Sequence, residues 1–150
     1  MDLFKKRPKR FFTPQQEAEI VAAIKSAELN TSGEIKVHVE SHCEDHPFER
    51  GVEAFSLLEL DDTQQRNGVL FYLALKDHKF AIIADIGINE EVGEDFWEGI
   101  KQGMRQDFAA GQVSRGLAKG ISATGEALKS HFPCQDDDEN EISDEISKGR

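Results

Sequence analysis

Apolar and polar residues alternate strictly from position 34 to 40, and Ser41 closes the stretch. Ile35, Val37 and Val39 fall on one side; Glu34, Lys36, His38 and Glu40 fall on the other. A period of two predicts a strand with one buried face and one wet face. Residues 69–75 form an unbroken apolar run and residues 80–86 a nearly unbroken one. Such runs are expected of strands covered on both faces. Only Lys76-Asp77-His78-Lys79 separates them, so they predict an antiparallel hairpin. The first two strands, joined through a helix, are expected to run parallel.

Helical periodicity fills the gaps. Thr13, Pro14 and Gln16 make a capping-box start, and Ile20, Val21, Ile24 and Ala27 follow as a stripe that ends at residues 30–33. Pro47 opens a second helix carrying Phe48, Val52, Phe55 and Leu58, and residues 61–67 read as a polar loop. After the third strand come one helix with Trp97, Ile100, Met104 and Phe108, and another, past Gly111, with Leu117, Ile121, Leu128 and Phe132. Each contains a Gly-x-x-x-Gly, at Gly99/Gly103 and Gly116/Gly120. A helical glycine costs ~1 kcal/mol against alanine, so both pairs predict a close approach of backbones. The order helix–strand–helix–strand–strand–helix–helix predicts an α/β protein: a three-layer α/β/α sandwich around a mixed sheet with an antiparallel hairpin.

Charge divides the 150 residues unevenly. Residues 1–10 hold five basic side chains and one acidic, whereas residues 135–150 hold seven acidic and two basic. The expected organisation is a basic arm over 1–10, a folded domain over 11–133 and an acidic tail over 134–150. The tail is expected to contribute little to stability, docked at most by Ile142 and Ile146. The chain carries a net −11, which disfavours nucleic acid and favours cations. No apolar run reaches 18 residues and no apolar stretch follows the N-terminal charges, so neither a membrane span nor a secretory signal is expected. Two cysteines make no disulfide framework. A cytoplasmic monomer with a protein partner of unknown identity is the expectation.

The predicted topology has a chemical consequence. If two strands run parallel and the third returns, the end of the third meets the starts of the other two. That edge collects Ser32-Gly33-Glu34, Arg66-Asn67-Gly68 and the stretch from Asp85 to Glu91, with Asp61 and Asp62 nearby. Oxygen donors from separate loops suit Ca²⁺ or Mg²⁺. The competing reading is capping: Asn89 starts a helix, and Glu90 and Glu91 sit favourably in its dipole. Other chemistry fails on spacing. Six residues part Cys43 from Arg50, one too many for a C-x5-R phosphate loop, and there is no P-loop, G-x-S-x-G or EF-hand. His38, His42, Cys43 and His46 fit no standard zinc spacing.

The segments NTSGEIKVHVESHC, RNGVLFYLALKDHKFAIIADIGINEEV and FAAGQVSRGLAKGI together resemble the TPM domain family, over about residues 11–133. The resemblance is closest to small soluble stand-alone bacterial members. It implies a Rossmann-like α/β/α sandwich and divalent-cation binding at loop acids; since no activated nucleophile is visible in the sequence, a binding or scaffold module is the expectation. The alternative it carries is an acid phosphatase of low efficiency, since plant thylakoid members have such reported activity and a role in photosystem repair. Carried onto this chain, the cation ligands are Asp85, Asn67 and Glu34; the converging loops add one of Glu90 or Glu91 to the expected set. One position departs from the family: many relatives have Asp before Asn-Gly, where this chain has Arg66.

Overall fold

The structure is a computed structural model that describes residues 11–134 and 145–149. The first helix, α1 (Pro14–Glu28), starts with the expected capping box, Thr13 and Gln16 exchanging bonds of 3.1 and 2.9 Å. It is followed by β1 (Glu34–Glu40), α2 (Pro47–Leu57), a single 3-10 turn (Leu60–Asp62), β2 (Gly68–Ala74) and β3 (Lys79–Ala84). Three helices complete the body: α3 (Ile86–Val92), α4 (Glu94–Ala109) and α5 (Val113–His131). A two-residue strand, β4 (Ser147–Lys148), closes the described chain.

The sheet order is β3-β2-β1-β4. β1 pairs parallel with β2 in the register Glu34↔Gly68 to Glu40↔Ala74, and β2 pairs antiparallel with β3 from Val69↔Ala84 to Ala74↔Lys79. Both pairings are those the apolar pattern predicts. On one face α1, α5 and α4 bury Ile35, Val37, Val39, Phe71 and Ile82 together with Ile20, Leu117 and Ile121. On the other face α2 and the 3-10 turn cover Leu70, Tyr72, Ala81 and Ile83 with Phe55 and Leu60. This is the α/β/α sandwich.

Two expectations need correction. The polar side of β1 is not wet: Glu34, Lys36, His38 and Glu40 are all buried. Arg50 of α2, Tyr72 of β2, the Ser147 hydroxyl and the Glu145 carbonyl supply partners to Lys36, His38 and Glu40, so the pattern marks a buried polar network. The end of the acidic segment is held by more than the apolar contact expected of Ile146. Residues 145–149 lie along β1, with Gly149 N–H donating to Val39 O (2.7 Å) and Lys36 Nζ to Glu145 O (2.7 Å). Ile146 is half-buried against the core, while Ile142 lies outside the described residues. The glycine expectation holds for one pair. A Cβ at Gly116 would meet Asp107 Cβ at 2.8 Å and one at Gly120 would meet Met104 Sδ at 3.1 Å, so α4 and α5 do pack closely there. At Gly99 and Gly103 a Cβ would meet nothing within 4 Å.

Candidate functional site

The three segments expected to converge do meet at one end of the sheet. Glu34 N–H donates to Asn67 O (3.4 Å), and Asp85 N–H donates to Gly68 O (3.0 Å). Gly87 lies against the loop before β2, where a Cβ would fall 2.5 Å from Arg66 O. No larger residue fits without moving that backbone, and Ile88 N–H donates to Arg66 O (3.3 Å) across the same contact. Arg66 itself has φ 52°, the left-handed region that non-glycine residues seldom occupy. The loop is thus held in a costly conformation by its neighbours.

Asp85 is the N-cap of α3, its Oδ1 accepting from Ile86 N–H at 2.8 Å. Arg66 grips both carboxylate oxygens, Nε donating to Oδ2 at 2.7 Å and Nη2 to Oδ1 at 2.9 Å. Asp85 is 7% exposed, whereas the Arg66 side chain is 51% exposed. A bidentate pair of this kind is the strong form of a charged hydrogen bond. The capping role expected of Asn89 therefore belongs to Asp85. Asn89 sits inside α3, where its amide donates to Ala84 O (2.9 Å) and accepts from the Trp97 indole (2.8 Å).

Asn67 is 1% exposed. Its Nδ2 donates to Ser32 Oγ (3.1 Å), and its Oδ1 has no hydrogen-bond partner among the described residues. A buried amide oxygen left unmatched costs about 1–3 kcal/mol. Glu34, 3% exposed, is held in line with Gly68 by the sheet register. Glu90 and Glu91 do not join them. Both are exposed on α3, and Glu91 Oε2 faces His131 Nδ1 at 3.3 Å. Asp61 and Asp62 are exposed in the 3-10 turn. Among the described residues no group of three or more His, Cys, Asp or Glu is placed to hold a metal ion. Of the five expected ligands, Glu34, Asn67 and Asp85 lie in the segments that meet at this edge, and Glu90 and Glu91 stand exposed on α3.

A second polar cluster lies at the far end of β1, and sequence reasoning did not find it. Glu40 accepts from Arg50 through both oxygens, from the Tyr72 hydroxyl (2.7 Å), and lies 3.2 Å from His38 Nε2. His38 Nδ1 meets Ser147 Oγ at 2.9 Å. Burial alone would push the Glu40 carboxyl up. The bonds from Arg50, Tyr72 and His38 outweigh it and hold the pKa at about 2. Burial lowers that of His38 and raises that of Tyr72. The one available signal was that Glu34, Lys36, His38 and Glu40 alternate in charge and function, which a solvated face does not require. His42 and Cys43 are tied to Asp77, by 2.9 and 2.7 Å, and His46 caps α2, so these residues have structural work.

A family model described as the TPM domain matches residues 6–127. The comparison with curated proteins gives no match. Among solved structures, the chain is similar to the BA42 protein from the psychrophilic bacterium Bizionia argentinensis. The two are 42% identical with a TM-score of 0.86, over 95% of this chain and 99% of that one. It also shares its fold with the N-terminal domain of the cg2496 protein from Corynebacterium glutamicum. There the identity is 12% and the TM-score 0.63, over 90% of this chain and 93% of that one.

Proposed function

The chain belongs to the TPM domain family, and from that premise we propose that it works as a binding module whose sheet edge takes a divalent cation, Ca²⁺ or Mg²⁺. The observation that carries this reading is Asn67 Oδ1, a buried oxygen with no hydrogen-bond partner among the described residues, next in chain to the strand that pairs with buried Glu34. An amide oxygen and a carboxylate are the donors such ions take. Asp85 would add charge, and Arg66 is then its internal competitor: a cation that uses Asp85 must displace the guanidinium. A half-exposed arginine on a surface loop can swing into water, so the exchange is open to it. Binding to the folded state alone would stabilise it, by ~2.7 kcal/mol at a hundredfold excess over Kd.

The test is a thermal melt with EDTA and with millimolar Ca²⁺ or Mg²⁺, on wild type, Arg66→Gln and Asn67→Ala. The expected result is a metal-dependent rise in Tm for wild type, a larger rise for Arg66→Gln and a reduced one for Asn67→Ala. A wild-type and an Arg66→Gln curve both indifferent to metal would end this reading.

Acid phosphatase activity has less behind it. A hydrolase needs a nucleophile with an adjacent base. At this edge the Ser32 hydroxyl accepts from the amides of Asn67 (3.1 Å) and Gln65 (3.0 Å), neither of which can activate it. Turnover of a phosphomonoester is expected to be weak. A kcat of roughly 1 s⁻¹ or more that vanishes in Asp85→Asn would make the chain an enzyme.

A further inference from the structure

The sheet ends at β3, which has β2 on one side and no strand on the other among the described residues. Asp85 N–H bonds to Gly68 O, and peptide groups alternate along a strand. Residues 79, 81 and 83 therefore direct their N–H and C=O toward β2, and Phe80, Ile82 and Ala84 direct theirs outward. Asn89 caps the outward carbonyl of Ala84 and is itself fixed by Trp97. The outward groups of Phe80 and Ile82 carry no such cap among the described residues. An open edge of this kind is a template for another strand.

The surroundings are shaped for one. A cavity of about 630 Å³ lies over Ile82 and Ala84, with Phe48 of α2 on one side and Trp97 of α4 on the other. A second, of about 440 Å³, lies one step further along the same strand and helix, beside Phe80 and Phe108. Walls rise from both helical layers, so the gap suits a single strand.

Charge gives the groove a direction. Glu90, Glu94 and Glu98 border the first cavity, where only Lys101 answers them, 3.5 Å from Glu98. His78, Lys79 and Arg105 border the second, with the Arg105 guanidinium 5.9 Å from the Phe80 ring centre. We propose that this groove binds an extended segment of a partner protein, which adds to β3 as an outer strand. Its main chain pairs with Phe80 and Ile82, and alternate apolar side chains enter between β3 and α4. Its basic end lies beside Ala84 and its acidic end beside Phe80. The groove ends beside Ala84, one residue before Asp85, and neither cavity is lined by Glu34, Asn67 or Asp85.

The full chain can be titrated with the nonapeptide KKVTVTVEE, which has its basic end first for antiparallel addition, and with EEVTVTVKK for parallel addition. Trp97 is the only tryptophan and lines the groove, so its fluorescence reports occupancy, and amide shifts locate it. One of the two peptides is expected to bind with Kd below about 1 mM, shifting the Phe80 and Ile82 amides. Methylating alternate peptide nitrogens should cost at least tenfold, and Glu94→Lys with Glu98→Lys should weaken binding several-fold. These results should be the same in EDTA and in Ca²⁺, which separates them from the cation reading. No shift at Phe80 and Ile82 with either peptide at millimolar concentration, equal binding of the methylated form, or concentration-dependent self-association through β3 would each overturn the proposal.

Discussion

Glu40 gathers three partners in a place almost closed to water: Arg50, Tyr72 and His38. Its carboxyl sits at about 2 against an ordinary 4.5. Because the folded value is the lower one, the stability it supplies is complete above 4.5 and is lost as pH falls toward 2. At about 1.4 kcal/mol per unit the whole swing is roughly 3 kcal/mol. His38 acts in the same direction. Burial lowers its value below 6.5, so the unfolded chain takes up that proton first and stability declines as pH drops below 6.5. Denaturant unfolding at pH 7 and pH 3 should therefore show a marked loss at pH 3. Arg50→Ala leaves a buried carboxylate without its main partner. It should cost about 3 kcal/mol at pH 7 and less at pH 3, where Glu40 can be neutralised. Equal cost at both pH values would place the arginine's contribution in packing.

Elements show where sequence pattern speaks and where it is silent. Helices α1, α2, α4 and α5 and strand β1 were legible because each repeats a period over many residues, and β2 and β3 because they are apolar runs; seven-residue α3, whose first residue was expected to end β3, left no such trace. β4 was not: two residues carry no period, and its place depends on partners far away in sequence. His38 meets Ser147, and Lys148 Nζ meets Glu17 Oε1 at 2.7 Å. Deleting residues 145–150 is expected to lower Tm by about 5 °C or more, since ~1 kcal/mol corresponds to a few degrees at this chain length. An unchanged Tm would return this segment to the role of a solvated tail. The helical glycines divide in the same test of context. Gly116→Ala should destabilise, because its Cβ meets Asp107 and Phe108. Gly103→Ala, facing open space, should stabilise by up to ~1 kcal/mol. Melts of the two variants should move in opposite directions.

At the scale of the molecule, topology was the legible part of the site. Parallel β1 and β2 with a returning β3 forced Glu34, Asn67 and Asp85 to one end, and the register holds them there. What fills the space between them was not legible. Whether Arg66 reaches Asp85 depends on a left-handed loop residue, and whether Glu90 and Glu91 turn inward depends on the phase of a seven-residue helix. Neither leaves a periodic trace. Asn67 shows the opposite case: its side-chain type suggested a ligand, and only packing reveals the unmatched oxygen.

Whether this edge takes a divalent cation can be read from amide and side-chain NMR shifts during a Ca²⁺ or Mg²⁺ titration. Saturable shifts are expected at Glu34, Asn67 and Ile86, with the Arg66 Nε signal moving as the guanidinium leaves Asp85. Saturable shifts confined to other parts of the chain, or none at millimolar metal, would contradict cation binding here and leave Asp85 as a helix cap paired with Arg66.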